Sequence, residues 1–458
     1  REEILGIVGE SGSGKSMFAS ALLDAVVEPG LLTGDITYYP SDGDPVDLLS
    51  LSTKELKRLR WEHISMVFQG AMNSFNPVKT VREHFQETIE AHDRDPDRRM
   101  EHARELLAEL YLEPDRVLDS YPHELSGGMK QRTLIALSLV LEPDILVLDE
   151  PTAALDLLMQ RSIISLLENL KTRYDLTIVF ITHDLPLVAG LTDRLAVMYA
   201  FEFVEIGPSR EVLHHPVHPY TRALLKAVPN LQTPLEEMKP ISGSSPDPVD
   251  VPSGCSYHPR CPLADDSCVE IDPEHEEIGE DHSVACFHWE DAEDAIPITR
   301  ETEPGENTII EGEQSTEPLV SLKDASVHFT QSSGLFDFFN DPDTVHAVDD
   351  VTLDIFERDV VALVGESGCG KTTLGKTVIG SQRPTEGTVS YRGQDIWAAK
   401  DNEGDIDIPY EEIRSSLQII HQDPGASLNP YKTVEKSLLR ALRQSQPDMN
   451  RASRVKRI

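Results

Sequence analysis

A duplicated α/β fold built around phosphate-binding loops is what this sequence predicts, and three observations carry the prediction. Two segments, Gly9-Glu10-Ser11-Gly12-Ser13-Gly14-Lys15-Ser16 and Gly365-Glu366-Ser367-Gly368-Cys369-Gly370-Lys371-Thr372, fit the P-loop pattern at every constrained position. Each follows an apolar run that reads as a buried strand (4–8 and 360–364) and precedes a helix-like run (17–26 and 373–379). Further on, Val67-Phe68-Gln69 through Ser74-Phe75-Asn76-Pro77 returns as Ile420-His421-Gln422 through Ser427-Leu428-Asn429-Pro430, offset by 353, close to the 356 positions that separate the loops. Only a tandem repeat of a whole domain keeps that register.

The loop chemistry demands these residue types. Glycines let successive backbone N–H groups turn inward on phosphates, Lys15 and Lys371 add a point charge, and Ser16 and Thr372 carry hydroxyls suited to Mg²⁺. The expected ligand is a nucleoside triphosphate, bound twice. The repeat also predicts a sequence cut at both ends: counterparts of motifs near 125 and 149 would fall beyond Ile458, and the stretch from Leu319 to Asp359 has no counterpart before Arg1.

At 458 residues the chain has room for several domains, and the repeat makes two cassettes the better count. Its net charge of −39 repels polyanions and argues against nucleic acid as a partner. The acid excess, with Lys scarcer than Arg, reads as the surface of a protein from a high-salt cytoplasm. No run of eighteen apolar residues is present, so nothing reads as a bilayer span.

Taken in order, the first copy continues with β-rich segments (35–39 and 64–68), after which Gln69 follows a strand end where its amide can reach a metal or an attacking water. A helix-like region covers 81–110. Leu125-Ser126-Gly127-Gly128-Met129 then opens a helix running to about Leu141, and its free N–H groups make a second anion site. Ile145-Leu146-Val147-Leu148 ends in Asp149-Glu150, so a core strand presents acids at its C-terminal edge: Asp149 to hold Mg²⁺ through water, Glu150 to orient or deprotonate a water. A second buried strand, 178–181, ends in Thr182-His183-Asp184 and places an imidazole on the same edge.

In that order these motifs resemble those of ATP-binding cassette ATPases, most closely the ATPase subunits of peptide-class importers. The resemblance covers nearly the whole chain. It implies a P-loop NTPase core sheet with an antiparallel β subdomain and a helical subdomain, duplicated. Residues 9–16 are similar to Walker A (Gly9, Ser11, Gly12, Gly14, Lys15, Ser16), Gln69 to the Q-loop, Ser126, Gly127 and Gly128 to the signature, and 145–150 to Walker B. Ala154-Leu155-Asp156 resembles the D-loop and His183 the switch histidine. In the second copy the corresponding residues are Gly365, Ser367, Gly368, Gly370, Lys371, Thr372 and Thr373, with Gln422 as its Q-loop glutamine and Phe329 as the aromatic expected to stack on adenine. Mg²⁺ would be held through Ser16, Gln69, Asp149, Thr372 and Gln422.

The resemblance further implies head-to-tail pairing of the two cassettes within the chain, two transmembrane permease subunits and an extracellular solute-binding protein as partners, and a place on the cytoplasmic face of the membrane. The partner-facing surface is expected at 69–76 and in the helical region after it. His218-Pro219-Tyr220-Thr221-Arg222, which by itself reads only as a turn and a short helix, resembles the C-terminal hallmark of oligopeptide and dipeptide importer ATPases, including relatives that import nickel. A soluble ATPase of DNA repair or translation is the alternative. Ala200-Phe201 stands where the family usually has a small glycine.

Cys255, Cys261, Cys268 and Cys286 are separated by five, six and seventeen residues, which is not the paired CxxC spacing of zinc sites. Four thiols in so short a window of an intracellular ATPase point to a metal rather than disulfides, with an iron–sulfur cluster, zinc and no metal all open. By resemblance to similar extensions, a [4Fe-4S] cluster is the leading expectation. Between Phe287 and Pro318 ten acids face the single base Arg300, which predicts a flexible linker. The expected organisation is a first cassette over 1–230, a Cys-containing extension over 231–287, the linker over 288–318 and a second cassette over 319–458.

Overall fold

The computed structural model describes residues 2–40, 42–70, 74–153, 155–228, 241–298, 317–330, 344–366, 368–420, 429, 431–445 and 449–457. The chain divides into two units, Arg1–Asn307 and Thr308–Ile458.

In the first unit, strands β1 (Ile4–Val8), β4 (Ile64–Val67), β5 (Ile145–Asp149), β6 (Thr177–Ile181), β7 (Arg194–Tyr199), β8 (Glu202–Pro208), β9 (Glu276–Gly279) and β10 (His282–Val284) form one sheet in the order β4-β5-β6-β1-β7-β8-β10-β9. The first five are parallel, and β8, β10 and β9 continue antiparallel. A short hairpin, β2 (Thr37–Tyr38) with β3 (Val46–Asp47), stands apart. The apolar runs are continuous because the sheet is covered on both faces. Leu146 and Leu148 pack with the helices Val81–Ala91, Pro96–Glu109, Gly127–Leu139 and Leu157–Tyr174 in one core; between them Val147 joins Ala19 and Leu23 in the other.

Several boundaries differ from expectation. The helix after the first P-loop is Lys15–Ala21, shorter than the apolar run, and the region 81–110 is two helices, the second started by Asp95 as a cap with Pro96 at its first turn. The cysteine-bearing extension is no appendage: its β9 and β10 enlarge the core sheet. The expected linker also begins too early, because Trp289–Asp291 and Ala292–Ala295 are helical and Ala292 and Ile296 are buried; residues 299–316 lie outside the described residues.

The second unit contributes the antiparallel subdomain, β12 (Thr344–Ile355), β11 (Val320–Thr330), β13 (Glu386–Tyr391) and β14 (Gln394–Asp395) in that order. The helix Lys371–Val378 follows the second P-loop where a helix-like run is expected, and Val434–Ser445 and Arg451–Arg457 are also helical. The strand expected at 360–364 does not form, and Val360 is 98% exposed. In the first unit the equivalent β1 is sandwiched between β6 and β7, and among the described residues of the second unit no strand pairs with 360–364.

Candidate functional site

The first P-loop lies between β1 and the helix Lys15–Ala21, packed on the end of β7. A Cβ at Gly9 would stand 2.1 Å from Met198 O, and Gly14 sits at φ 101°, so glycine is required at both places. Lys15 Nζ donates to Gly9 O and Glu10 O, each at 2.8 Å, and to Ser13 Oγ at 3.3 Å. Burial pushes its pKa down, against the pull of Glu150, Asp149 and Glu10. The second loop repeats the arrangement: Lys371 Nζ donates to Gly365 O at 2.7 Å and also to Glu366 O, with Gly368 and Gly370 at φ 86° and 89° as Gly12 and Gly14 are at 88° and 101°.

The C-terminal edge of the sheet brings together the residues expected to do chemistry. Glu150 takes φ 49° as β5 ends, a costly conformation for a non-glycine, and its N–H bonds Ile181 O at 2.9 Å. Its carboxylate then accepts from Gln69 Nε2 at 2.8 Å and pairs with His183 Nδ1 at 2.9 Å. All three expected catalytic side chains therefore meet on one carboxylate. Asp149, 2% exposed, has its pKa raised by burial, opposed by a hydrogen bond from Ser16. Its Oδ1 has no hydrogen-bond partner among the described residues. A buried orphan carboxylate oxygen beside a serine hydroxyl is the donor set a hard cation requires, so Ser16 and Asp149 fit Mg²⁺.

Other expected residues are placed apart from this centre. Ser126 Oγ caps its own helix by accepting from Met129 N at 3.3 Å, and Gly128 packs against Met159. Among the described residues neither Ser126, Gly127 nor Gly128 hydrogen-bonds to the first P-loop. Asp156 caps the helix Leu157–Tyr174, whereas Ala154 is outside the described residues. Phe329 is 45% exposed and pairs with Val345 across β11–β12; Thr372 is exposed and Thr373 half-buried at the start of their helix. Ser367 and Gln422 lie outside the described residues.

Chemically silent as a local pattern, His218–Arg222 acquires a role from its contacts. His218 Nδ1 caps the helix Pro219–Lys226 by accepting from Tyr220 N at 3.0 Å. Buried Tyr220 turns its hydroxyl to the P-loop and accepts from Glu10 N at 2.9 Å. Arg222 donates to Pro216 O and Ile296 O, each at 2.8 Å, tying down the segment first expected to be linker. Buried Glu205 accepts from Val217 N, His218 N and His282 Nε2 at 3.1, 3.0 and 3.1 Å. Opposite Tyr220, Arg260 grips the Glu10 carboxylate with two nitrogens at 2.7 and 3.1 Å. The β7–β8 turn adds Phe201 N to Ser13 O at 2.9 Å, with Ala200 at φ 45° and Phe201 at φ 74°; the two-residue hairpin imposes the left-handed backbone that glycine would adopt freely.

The four cysteines line one small cavity with Tyr257, His258 and His288. Burial pushes the Cys255 thiol up to about 11 and Cys286 to about 12, with neighbouring cysteines adding to both, and raises Cys261 for the same reasons. Asp265, Cys268 and His288 also place ligand atoms within 4.8 Å of one another. Thiolates crowded in this way are stabilised by a soft cation, so the donor set fits a metal.

Residues 1–153 and 348–457 match the ABC transporter family, and 204–268 match the family described as Oligopeptide/dipeptide transporter, C-terminal region. The Dipeptide transport ATP-binding protein DppD of Caldanaerobacter subterraneus subsp. tengcongensis is 41% identical over 63% of this chain and 88% of its own length. The Glutathione import ATP-binding protein GsiA of Salmonella choleraesuis is 34% identical over 97% of this chain, which spans 62% of that relative. Among solved structures, the dimeric MJ0796 cassette, a bacterial ABC transporter cassette, aligns over 46% of this chain and 86% of its own at 29% identity, with a TM-score of 0.37. The chain belongs to the ABC transporter family.

Proposed function

We propose that this chain is the ATP-binding and ATP-hydrolysing subunit of an importer for di- or oligopeptides. The observation that carries the reading is the Glu150 carboxylate held between Gln69 and His183, beside Lys15, Ser16 and Asp149. Lys15, freed from the carbonyls of Gly9 and Glu10, binds the β/γ oxygens of ATP. Glu150 takes a proton from the attacking water while Gln69 orients it, and His183, held beside Glu150 through Nδ1, directs Nε2–H to the γ-phosphate. Mg²⁺, when bound by Ser16, Asp149 and Gln69, neutralises charge on the phosphate oxygens.

Ser126, Gly127 and Gly128 complete a site by meeting the P-loop of the paired cassette, and Phe329 stacks on adenine in the second. The family resemblance supports this head-to-tail pairing, as does the lack, among the described residues, of a hydrogen bond between the signature and its own P-loop. The permease partner docks in a groove of about 540 Å³ between the end of β4 and the helix Val81–Ala91, lined by Trp61, Phe68, Phe75 and His84, where Phe68 is 51% exposed. Among the described residues no helix is long and apolar enough to cross a membrane, so the pore belongs to those partners on whose cytoplasmic face this chain works, with an extracellular binding protein delivering solute.

The cysteine pocket holds a [4Fe-4S] cluster in this reading. The four thiols line one cavity and lack the paired CxxC spacing of zinc sites, and a soft tetrathiolate set suits an iron–sulfur cluster. The net charge of −39 suits a high-salt cytoplasm. Affinity purification of the chain from its native membranes, followed by uptake of labelled dipeptide, tests the reading. Permeases should copurify, and uptake should vanish with Glu150→Gln; copurification with ribosomes or DNA instead would overturn it. Anaerobic protein without iron or visible absorption would remove the cluster.

A further inference from the structure

Glu10 stands inside the first P-loop between Gly9 and Ser11, yet nothing in the nucleotide chemistry requires a carboxylate there. Its charge is close enough to act on Lys15, and it would repel an arriving polyphosphate. Arg260 answers it: NH1 reaches Oε2 at 2.7 Å and NH2 reaches Oε1 at 3.1 Å, with the Arg260 side chain only 6% exposed. The guanidinium is fixed on its other sides by Ser242 O, 2.8 Å from Nε, and by the Tyr199 ring at 5.7 Å. A bidentate, half-enclosed pair of this kind has one geometry.

Arg260 is itself set by cysteines. It ends the turn His258–Arg260, whose two ends are tied by His258 N to Cys255 O at 2.9 Å and Cys261 N to His258 O at 3.2 Å. The thiols of Cys255 and Cys261 face the common cavity with those of Cys268 and Cys286. Whatever sets the separation of Cys255 and Cys261 therefore sets where Arg260 lies, and Arg260 sets the Glu10 carboxylate.

We propose that Arg260 is a positioning residue that carries the state of the four-cysteine pocket to the first P-loop, drawing the Glu10 carboxylate off the phosphate path and so raising ATP affinity. The inference rests on the reading of that loop as an ATP site. In a Lys371→Ala background, which leaves one intact loop, equilibrium titration of the full chain with a fluorescent ATP analogue and Mg²⁺ reads the affinity. Arg260→Ala should weaken binding about five- to tenfold, and Glu10→Gln added to it should restore binding to within twofold, because the uncompensated charge is gone. Arg260→Gln, similar in length, gives the same pattern where alanine unfolds the extension, as thermal melting will show. Cys255→Ser should weaken binding in the unaltered Glu10–Arg260 pair and leave it unchanged in Glu10→Gln/Arg260→Gln. No loss on replacing Arg260, no rescue by Glu10→Gln, or an equal effect of Cys255→Ser in both backgrounds would each overturn the proposal. Failure of the unaltered chain to bind the analogue would instead strike the ATPase reading.

Discussion

His218 offers a perturbation whose size follows from the structure. Its ring is 1% exposed, Nδ1 is committed as acceptor to Tyr220 N at 3.0 Å, and burial pushes its pKa down from 6.5 to about 3. A backbone hydrogen bond with Ala285 favours the proton, but burial, joined by the repulsion of His275, outweighs it. The fold therefore keeps His218 neutral, while an unfolded chain takes up a proton below pH 6.5. The unfolded state binds more protons, so stability is full above 6.5 and is lost as pH falls toward about 3. From pH 7.5 to 5.5 the loss is about 1.4 kcal/mol, and each further unit adds about 1.4. Asparagine keeps the cap without the titration. Denaturant unfolding at several pH values, following the transition of the first unit, should give His218→Asn a flatter profile by that amount, all other titrating groups being shared. Parallel profiles would refute the burial argument.

Other outcomes follow from the site. Glu150→Gln keeps the shape between Gln69 and His183 but removes the base, and phosphate release by the assembled transporter should fall about 10²- to 10⁴-fold with nucleotide binding retained. Tyr220→Phe leaves Glu10 N without its acceptor, and the first unit should lose about 1–3 kcal/mol in denaturant unfolding. Asp149→Asn weakens the fit for a divalent cation, so the Mg²⁺ concentration needed for half-maximal nucleotide binding should rise.

How far the sequence could be read depended on whether chemistry or tertiary contact chose the residue. Gly9, Lys15, Asp149 and Glu150 were legible because phosphate and metal chemistry dictate type and spacing over short stretches. Gln69 and His183 were legible only through their order, and their meeting on Glu150 depends on β4, β5 and β6 lying side by side. The grip of Arg260 on Glu10 joins positions 250 apart, and no local pattern announces it. His218, Tyr220 and Arg222 looked like a turn because their partners, Glu10 N, Glu205 and Ile296 O, all lie elsewhere in the chain. The apolar spacing of Ala292 and Ile296 is hidden among acids, so a packed strap has the composition of a linker. The run 360–364 shows the converse: the pattern of a buried strand is present, but a strand also needs neighbours.

The lysine of each P-loop should bind ATP. Titration of the full chain with a fluorescent ATP analogue and Mg²⁺ should show two nucleotides per chain, one lost on Lys15→Ala and the other on Lys371→Ala. Unchanged uptake in the double variant, or none in the unaltered chain, would contradict the account.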